Sequence, residues 1–110
     1  MESAVSIQRM PLDVRRRARD DVEYHTRLTG IAFALVHAQI TDMSPLGCMV
    51  RCSNEVAMGE RITLDLPIVG DVRGVAVWSL GTRIGVAFDR EIPADLYPRV
   101  IAAMSRRSIM

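Results

Sequence analysis

Hydrophobic and polar residues alternate along most of the chain. Val22, Tyr24, Thr26 and Leu28 fall between Glu23, His25 and Arg27, a period of two that predicts a half-buried strand ending at Thr29-Gly30. Ala32 to Thr41 is more continuously apolar, a pattern that also suits a buried helix. Its β-branched Val36, Ile40 and Thr41 and its flanking turn residues favour a strand. Cys48, Val50 and Cys52 share one face of a third strand, with Met49 and Arg51 on the other. In Arg61 to Ile68, the side chains of Ile62, Leu64, Leu66 and Ile68 point one way and those of Arg61, Thr63 and Asp65 the other. Pro67, on the outer face near the end, marks an edge or a bulge. Gly70-Asp71 is expected to be a tight turn, and Val72 to Leu80 and Arg83 to Phe88 to form a hairpin across Gly81-Thr82.

Six short strands at near-regular spacing predict an all-β domain with a C-terminal helix, the strands closing into a six-stranded antiparallel β-barrel. A parallel α/β fold is excluded, because no helical pattern separates the strands. The one convincing helix runs from about Leu96 to Arg106. With Asp95 as its cap, Pro98 falls at the third helical position, where a missing N–H costs little. Leu96, Val100, Ala103 and Met104 then form one apolar stripe, and Arg106 and Arg107 complement the helix dipole.

Composition narrows the function classes. The chain has 110 residues, 49% of them hydrophobic and 25% charged, with a formal net charge of +1, which suits one domain of ordinary soluble composition. The longest apolar stretch, Ile31 to Val36, is far short of the ~20 residues of a membrane span. The N-terminus lacks the basic-then-apolar order of a signal peptide, so a cytoplasmic protein without membrane insertion is expected. Two cysteines and two histidines are too few and too scattered for a zinc cluster. Four residues along a strand separate Cys48 from Cys52 by about 13 Å, beyond the ~7 Å reach of a disulfide, so both read as small core residues. His25 and His37, on separate strands without a carboxylate or cysteine at ligand spacing, read as structural. No Ser-His-Asp, Cys-His or HExxH arrangement is present, so neither an enzyme nor a bound cofactor is expected.

All 14 basic residues are arginine. Arg9, Arg15, Arg16, Arg17 and Arg19 against Asp13 put about +4 into a short stretch of a nearly neutral chain, a footprint for an anion or a solvated leader. Residues 1–14 read as a flexible leader and 15–110 as the domain. Between the second and third strands stands Asp42-Met43-Ser44-Pro45-Leu46-Gly47, D-x-S-x-x-G. Its acceptors, hydroxyl, fixed φ at Pro45 and permissive Gly47 suit a ligand-binding turn and equally a hydrogen-bonded hairpin turn.

Arg15 and Arg19 form R-x-x-x-R upstream of the first strand. Together with D-x-S-x-x-G and the later VAVWSLGTRIGVAF, this order resembles the PilZ domain, a bacterial receptor for cyclic di-GMP. With 14 arginines an R-x-x-x-R is expected roughly 1.7 times by chance, whereas [DN]-x-S-x-x-G is expected roughly 0.035 times, so the glycine motif and the barrel carry the resemblance.

The resemblance implies cyclic di-GMP binding by Arg15, Arg19, Asp42, Ser44 and Gly47, with Arg16 extending the cluster and Trp78 either stacking on a base or packing in the core. Arginine can fork onto phosphate oxygens and onto the guanine O6/N7 edge, and the Asp42 carboxylate can accept guanine N–H donors. Such a receptor would order its arginine arm on binding and change the surface shown to a protein partner. The alternative is a PilZ-like interaction adaptor with weak or no nucleotide binding. A barrel for single-stranded nucleic acid would need stacking platforms that two Phe, two Tyr and one Trp scarcely supply. Asp20 and Asp21 depart from the family pattern, which commonly has an apolar residue and a proline there; they are positioned to pair with Arg16 or Arg17 and weaken the anion site.

Overall fold

The computed structural model describes residues 19–31 and 34–105. Arg15 and Arg16, the leader over residues 1–14, the start of the second apolar run at Ala32 and Phe33, and Arg106 and Arg107 lie outside the described residues. Six antiparallel strands, β1 (Asp20–Gly30), β2 (Val36–Ser44), β3 (Gly47–Arg51), β4 (Arg61–Leu66), β5 (Gly70–Leu80) and β6 (Arg83–Phe88), close into a barrel in the order β1-β2-β3-β6-β5-β4. The helix α1 (Tyr97–Ser105) comes after β6 and packs against β1.

The inward-facing residues are those the period-two pattern selects. Leu28, Ile40, Leu64 and Ile84, from four different strands, are at most 1% exposed, and burying each contributes about 1.5–3 kcal/mol. Val100 and Met104 of α1 join the same core. The helix begins one residue later than expected. Leu96 therefore takes the cap position, accepting from the Val100 N–H at 3.0 Å, and Pro98 falls at the second helical position.

Two bulges set which side chains leave the core. Ile40 pairs with Val50 and Asp42 with Met49, so β2 carries an extra residue at Thr41. Unbroken alternation would have put Asp42 on the face of Ile40, inside the barrel; the bulge turns it to the outer face shared with Met49. In β5 the pairs Ala76 to Val86 and Trp78 to Gly85 leave Val77 extra, and Trp78 is turned outward in the same way.

Three local expectations change. The second apolar run becomes a strand only from Val36 and continues through Ser44, so D-x-S-x-x-G lies partly in strands, with Pro45-Leu46 as a two-residue turn. Gly70-Asp71 is the start of β5, not a turn; the chain reverses at residues 67–69. Ile68, expected on the inner face, is 49% exposed and has φ of 72°, while the Val69 N–H bonds the Pro67 carbonyl at 2.7 Å. A β-branched residue holding a γ-turn with positive φ is strained. Replacing Ile68 with Gly removes the Cβ clash and loses no core contact. We expect Ile68→Gly to raise the unfolding free energy by about 1 kcal/mol. Urea denaturation checks this, and an unchanged or lower midpoint would show that the turn is not strained.

Candidate functional site

The bulges create one continuous row across the outer face. Asp21 pairs with Asp42, Asp42 with Met49, Met49 with Gly85, and Gly85 with Trp78. At the usual strand spacing, Asp42 and Trp78 are separated by three steps, about 14 Å. The next row runs through Ser44, Gly47, Ala87 and Val75. Between the carboxylate and the indole the surface thus carries only Met49, two glycines and an alanine.

Asp42 is only 7% exposed, and Arg19 binds it with both Nε, at 2.9 Å, and Nη2, each donating to Oδ2. This hydrogen bond, followed by the charge of Asp42, raises the Arg19 pKa. A mostly buried carboxylate stripped of its partner would be costly, so the pair is worth more than an exposed ion pair. The Cys48 thiol is pushed up by burial, with the negative charge of Asp42 adding, and Cys48 and Cys52 are both free. That keeps Cys48 protonated and unreactive near neutrality.

Ser44 and Gly47 have their own local tasks. The Ser44 hydroxyl donates to the Gly47 carbonyl and accepts from the Leu46 N–H, each at 3.3 Å, so it ties the turn together. Gly47 does not have positive φ. A Cβ there would lie 2.2 Å from the Val86 carbonyl oxygen, so glycine is needed for close approach of the β6 backbone. The turn also anchors the end of β6 and the segment leading to the helix: the Phe88 N–H donates to the Leu46 carbonyl and the Ile92 N–H to the Pro45 carbonyl, both at 2.9 Å.

Trp78 is not a core residue. It is 40% exposed, and its indole lies across Gly85, where a Cβ would meet Nε1 at 2.1 Å. One ring face is held by the barrel and the side chain remains accessible to an incoming planar group. Gly85 falls within the VAVWSLGTRIGVAF stretch, but why glycine is needed there emerges only when Trp78 is placed opposite it. Arg51 and Arg83 are exposed cross-strand partners one row further along, and no motif marks Arg51. The alternation of Met49 with Cys48 and Val50 already marks the face to which Arg51 belongs.

The PilZ domain family model matches residues 8–105. The chain belongs to the PilZ family. Among solved structures this PilZ domain is similar to the PlzA protein of Borreliella burgdorferi, crystallised in complex with c-di-GMP. The two share 20% identity with a TM-score of 0.54 over 77% of this chain and 34% of that one, so this chain spans about a third of the length of that structure. A search of curated proteins returned no match. Of the residues expected to form the PilZ site, the fold joins Arg19 directly to Asp42, sets Ser44 and Gly47 beside them and puts Trp78 at the far end of the same row. Among the described residues, no three metal-ligating side chains converge and no helix is long and apolar enough to cross a membrane.

Asp20, next to Arg19, reaches the helix. The Tyr97 hydroxyl donates to its Oδ2 at 2.7 Å. The phenol is held well above the ordinary tyrosine range, first by burial, then by the Asp20 bond and the charges of Asp20 and Asp42. An unfolded tyrosine ionises near pH ~10 while the folded one keeps its proton, so this contribution is present below that pH and is lost as pH rises beyond it. Tyr97→Phe should cost about 1.5 kcal/mol at neutral pH and should flatten the alkaline loss of stability seen in denaturant melts from about pH 9 to 11. An equally steep loss in the variant would assign it elsewhere. At the other end of the row, Gly85→Ala should displace the indole. The emission of this sole tryptophan should shift to the red, with a loss of about 1–3 kcal/mol in stability.

Proposed function

We propose that this PilZ domain is a cyclic di-GMP receptor that signals to a protein partner. The observation that carries the reading is the Arg19–Asp42 pair, separated along one row only by Met49 and Gly85 from the accessible indole of Trp78. Cyclic di-GMP offers two phosphates and two guanines. Arg19, with Arg15 and Arg16, supplies forked donors for phosphate oxygens or the guanine O6/N7 edge. When Arg19 swings from the carboxylate to the ligand, Asp42 gains guanine N–H donors in its place, so neither charge is left unpaired. Trp78 stacks on a base. Ser44 and Gly47 serve the ligand indirectly, by holding the turn and the β6 backbone in place.

The same exchange supplies the signal. Arg19 is followed directly by Asp20, which receives the Tyr97 hydroxyl at the start of α1. Movement of Arg19 perturbs that bond and alters the surface formed by β1 and the helix. No chemical step is required.

Calorimetric titration with cyclic di-GMP, with GTP and single-stranded DNA as competitors, tests the reading. Arg15→Ala and Arg19→Ala should each weaken binding by about 2 kcal/mol or more, and Asp42→Ala by at least about tenfold. Arg99→Ala, on the exposed side of the helix, should change little. Equal losses at Arg99 and Arg19 would reduce the site to general charge attraction. Absence of binding would leave the interaction-adaptor reading in its place.

A further inference from the structure

Strands of alternating direction sort their connections to the two ends of the barrel. The β1–β2 turn, the β3–β4 loop and the β5–β6 turn lie at one end; the β2–β3 and β4–β5 turns and the segment leading to α1 lie at the other. The first end is apolar where it protrudes. Ile31 and Leu35 flank the β1–β2 turn, Met58 stands in the β3–β4 loop and Leu80 closes β5; they are 86%, 58%, 69% and 75% exposed. The sequence from Ile31 to Val36 holds no polar side chain, where a turn ordinarily draws on glycine, proline and small polar residues. Met58 is held in place: the Gly59 N–H donates to the Ala76 carbonyl at 2.7 Å and the Ala76 N–H to the Glu60 carbonyl at 2.9 Å, which pins the loop to β5.

We propose that this end of the barrel docks on an anionic lipid surface, with the four apolar side chains entering the acyl boundary and two arginines meeting headgroup phosphates. Charge selects the partner. In the three connections and the last two residues of each strand at this end, the charged side chains are Arg51, Arg61, Arg83, Glu55 and Glu60. Arg61 is bridged to Asp89, and Glu60 has Oε2 buried while its Oε1 accepts the Ala57 N–H. Arg51 and Arg83 therefore face solvent against Glu55 alone. They stand directly opposite each other in the β3–β6 ladder, where like charges repel, and among the described residues neither has a carboxylate within ion-pair distance. Arg83 is in turn the ladder partner of Leu80, so the cations sit immediately behind an apolar tip.

An anionic bilayer satisfies both features at once. Its phosphates accept the forked donors of arginine, and its acyl boundary takes up separate protruding side chains without a shaped pocket. Side chains carried on three independent connections suit such a fluid surface. A second copy docked end to end would instead set the opposed arginines against their own kind. With this end against the bilayer, Leu80 lies on the same face of β5 as Trp78 and about 7 Å further along the strand. Asp42 and Ser44 lie towards the opposite end, so the docked barrel leaves the Arg19–Asp42 pair open to solvent.

Flotation of the full chain with vesicles of phosphatidylcholine, alone or mixed with phosphatidylglycerol, tests the proposal. The chain should float with the mixed vesicles and stay behind with phosphatidylcholine alone. Ile31→Ser and Leu80→Ser should each weaken binding about fivefold or more, and Arg51→Gln with Arg83→Gln about tenfold or more, with circular dichroism unchanged because all four side chains are exposed. Leu46→Ser, a comparably exposed apolar residue at the opposite end, and Arg99→Gln on the helix should float like the parent chain. Arg19→Ala should too, which separates lipid docking from the cyclic di-GMP reading. No flotation with the mixed vesicles would overturn the proposal. So would flotation undiminished in Ile31→Ser and Leu80→Ser, which would assign the attraction to arginines elsewhere in the chain. Self-association in sedimentation without vesicles, lost in those two variants, would make this end a contact between copies and overturn it as well.

Discussion

Thr41 and Val77 each add one residue to a strand without adding a partner. The outward placement of Asp42 and Trp78 depends on those two bulges. Without the first, the Asp42 carboxylate would point among Ile40 and Val50, where an uncompensated charge costs several kcal/mol. Without the second, an indole would have to fit beside Ala76 inside a barrel already filled. The bulges resolve both conflicts by turning the side chains outward, and they do so in the same cross-strand row. Two glycines are then required: Gly85 because the indole lies on it, and Gly47 because the β6 backbone passes too close for a Cβ.

The carboxylate turned outward still needs a partner, and Arg19 provides it. The pair is more than a local contact, because the chain on each side of it is tied to the helix. On one side Asp20 receives the Tyr97 hydroxyl. On the other, the turn after Ser44 holds Phe88 and Ile92 through its carbonyls. Both connections lead toward α1, the first by a side-chain contact and the second along the segment that follows β6. A rearrangement at the pair can therefore reach the helix directly through Asp20 and Tyr97, and through the backbone of the core residues Phe88 and Ile92.

The strands and the barrel were legible because burial of one face imposes a period of two, which the runs that become β1, β3 and β4 show most clearly. The bulges were not legible. An inserted residue shifts the alternation by one and leaves no compositional mark, which is why Trp78 stood open between core and surface until its ladder partner was known. Gly47 was marked by the motif for the wrong local reason, since the backbone that approaches it belongs to a strand forty residues away. Ile68 kept to the alternation and still left the core, because the turn began one residue before it. The contact between His25 and His37 is diagonal across two strands, and only register reveals it. The arginine motif was legible only in part: Arg19 meets Asp42, while Arg15 and Arg16 lie outside the described residues.

A barrel hides its strand edges by pairing the first strand with the last, but β1 is longer than its neighbour can match. Only Leu28, Thr29 and Gly30 pair with β4, and the helix packs against β1, with Tyr97 on Asp20 at the strand's beginning. The helix thus serves as a cover for backbone that would otherwise invite another strand. While α1 stays docked, a partner must recognise side chains and cannot extend the sheet. Because Val100 and Met104 of α1 are fully buried, lifting the helix would open the core as well as break the Tyr97 bond, so strand addition at β1 carries the cost of the helix's own packing.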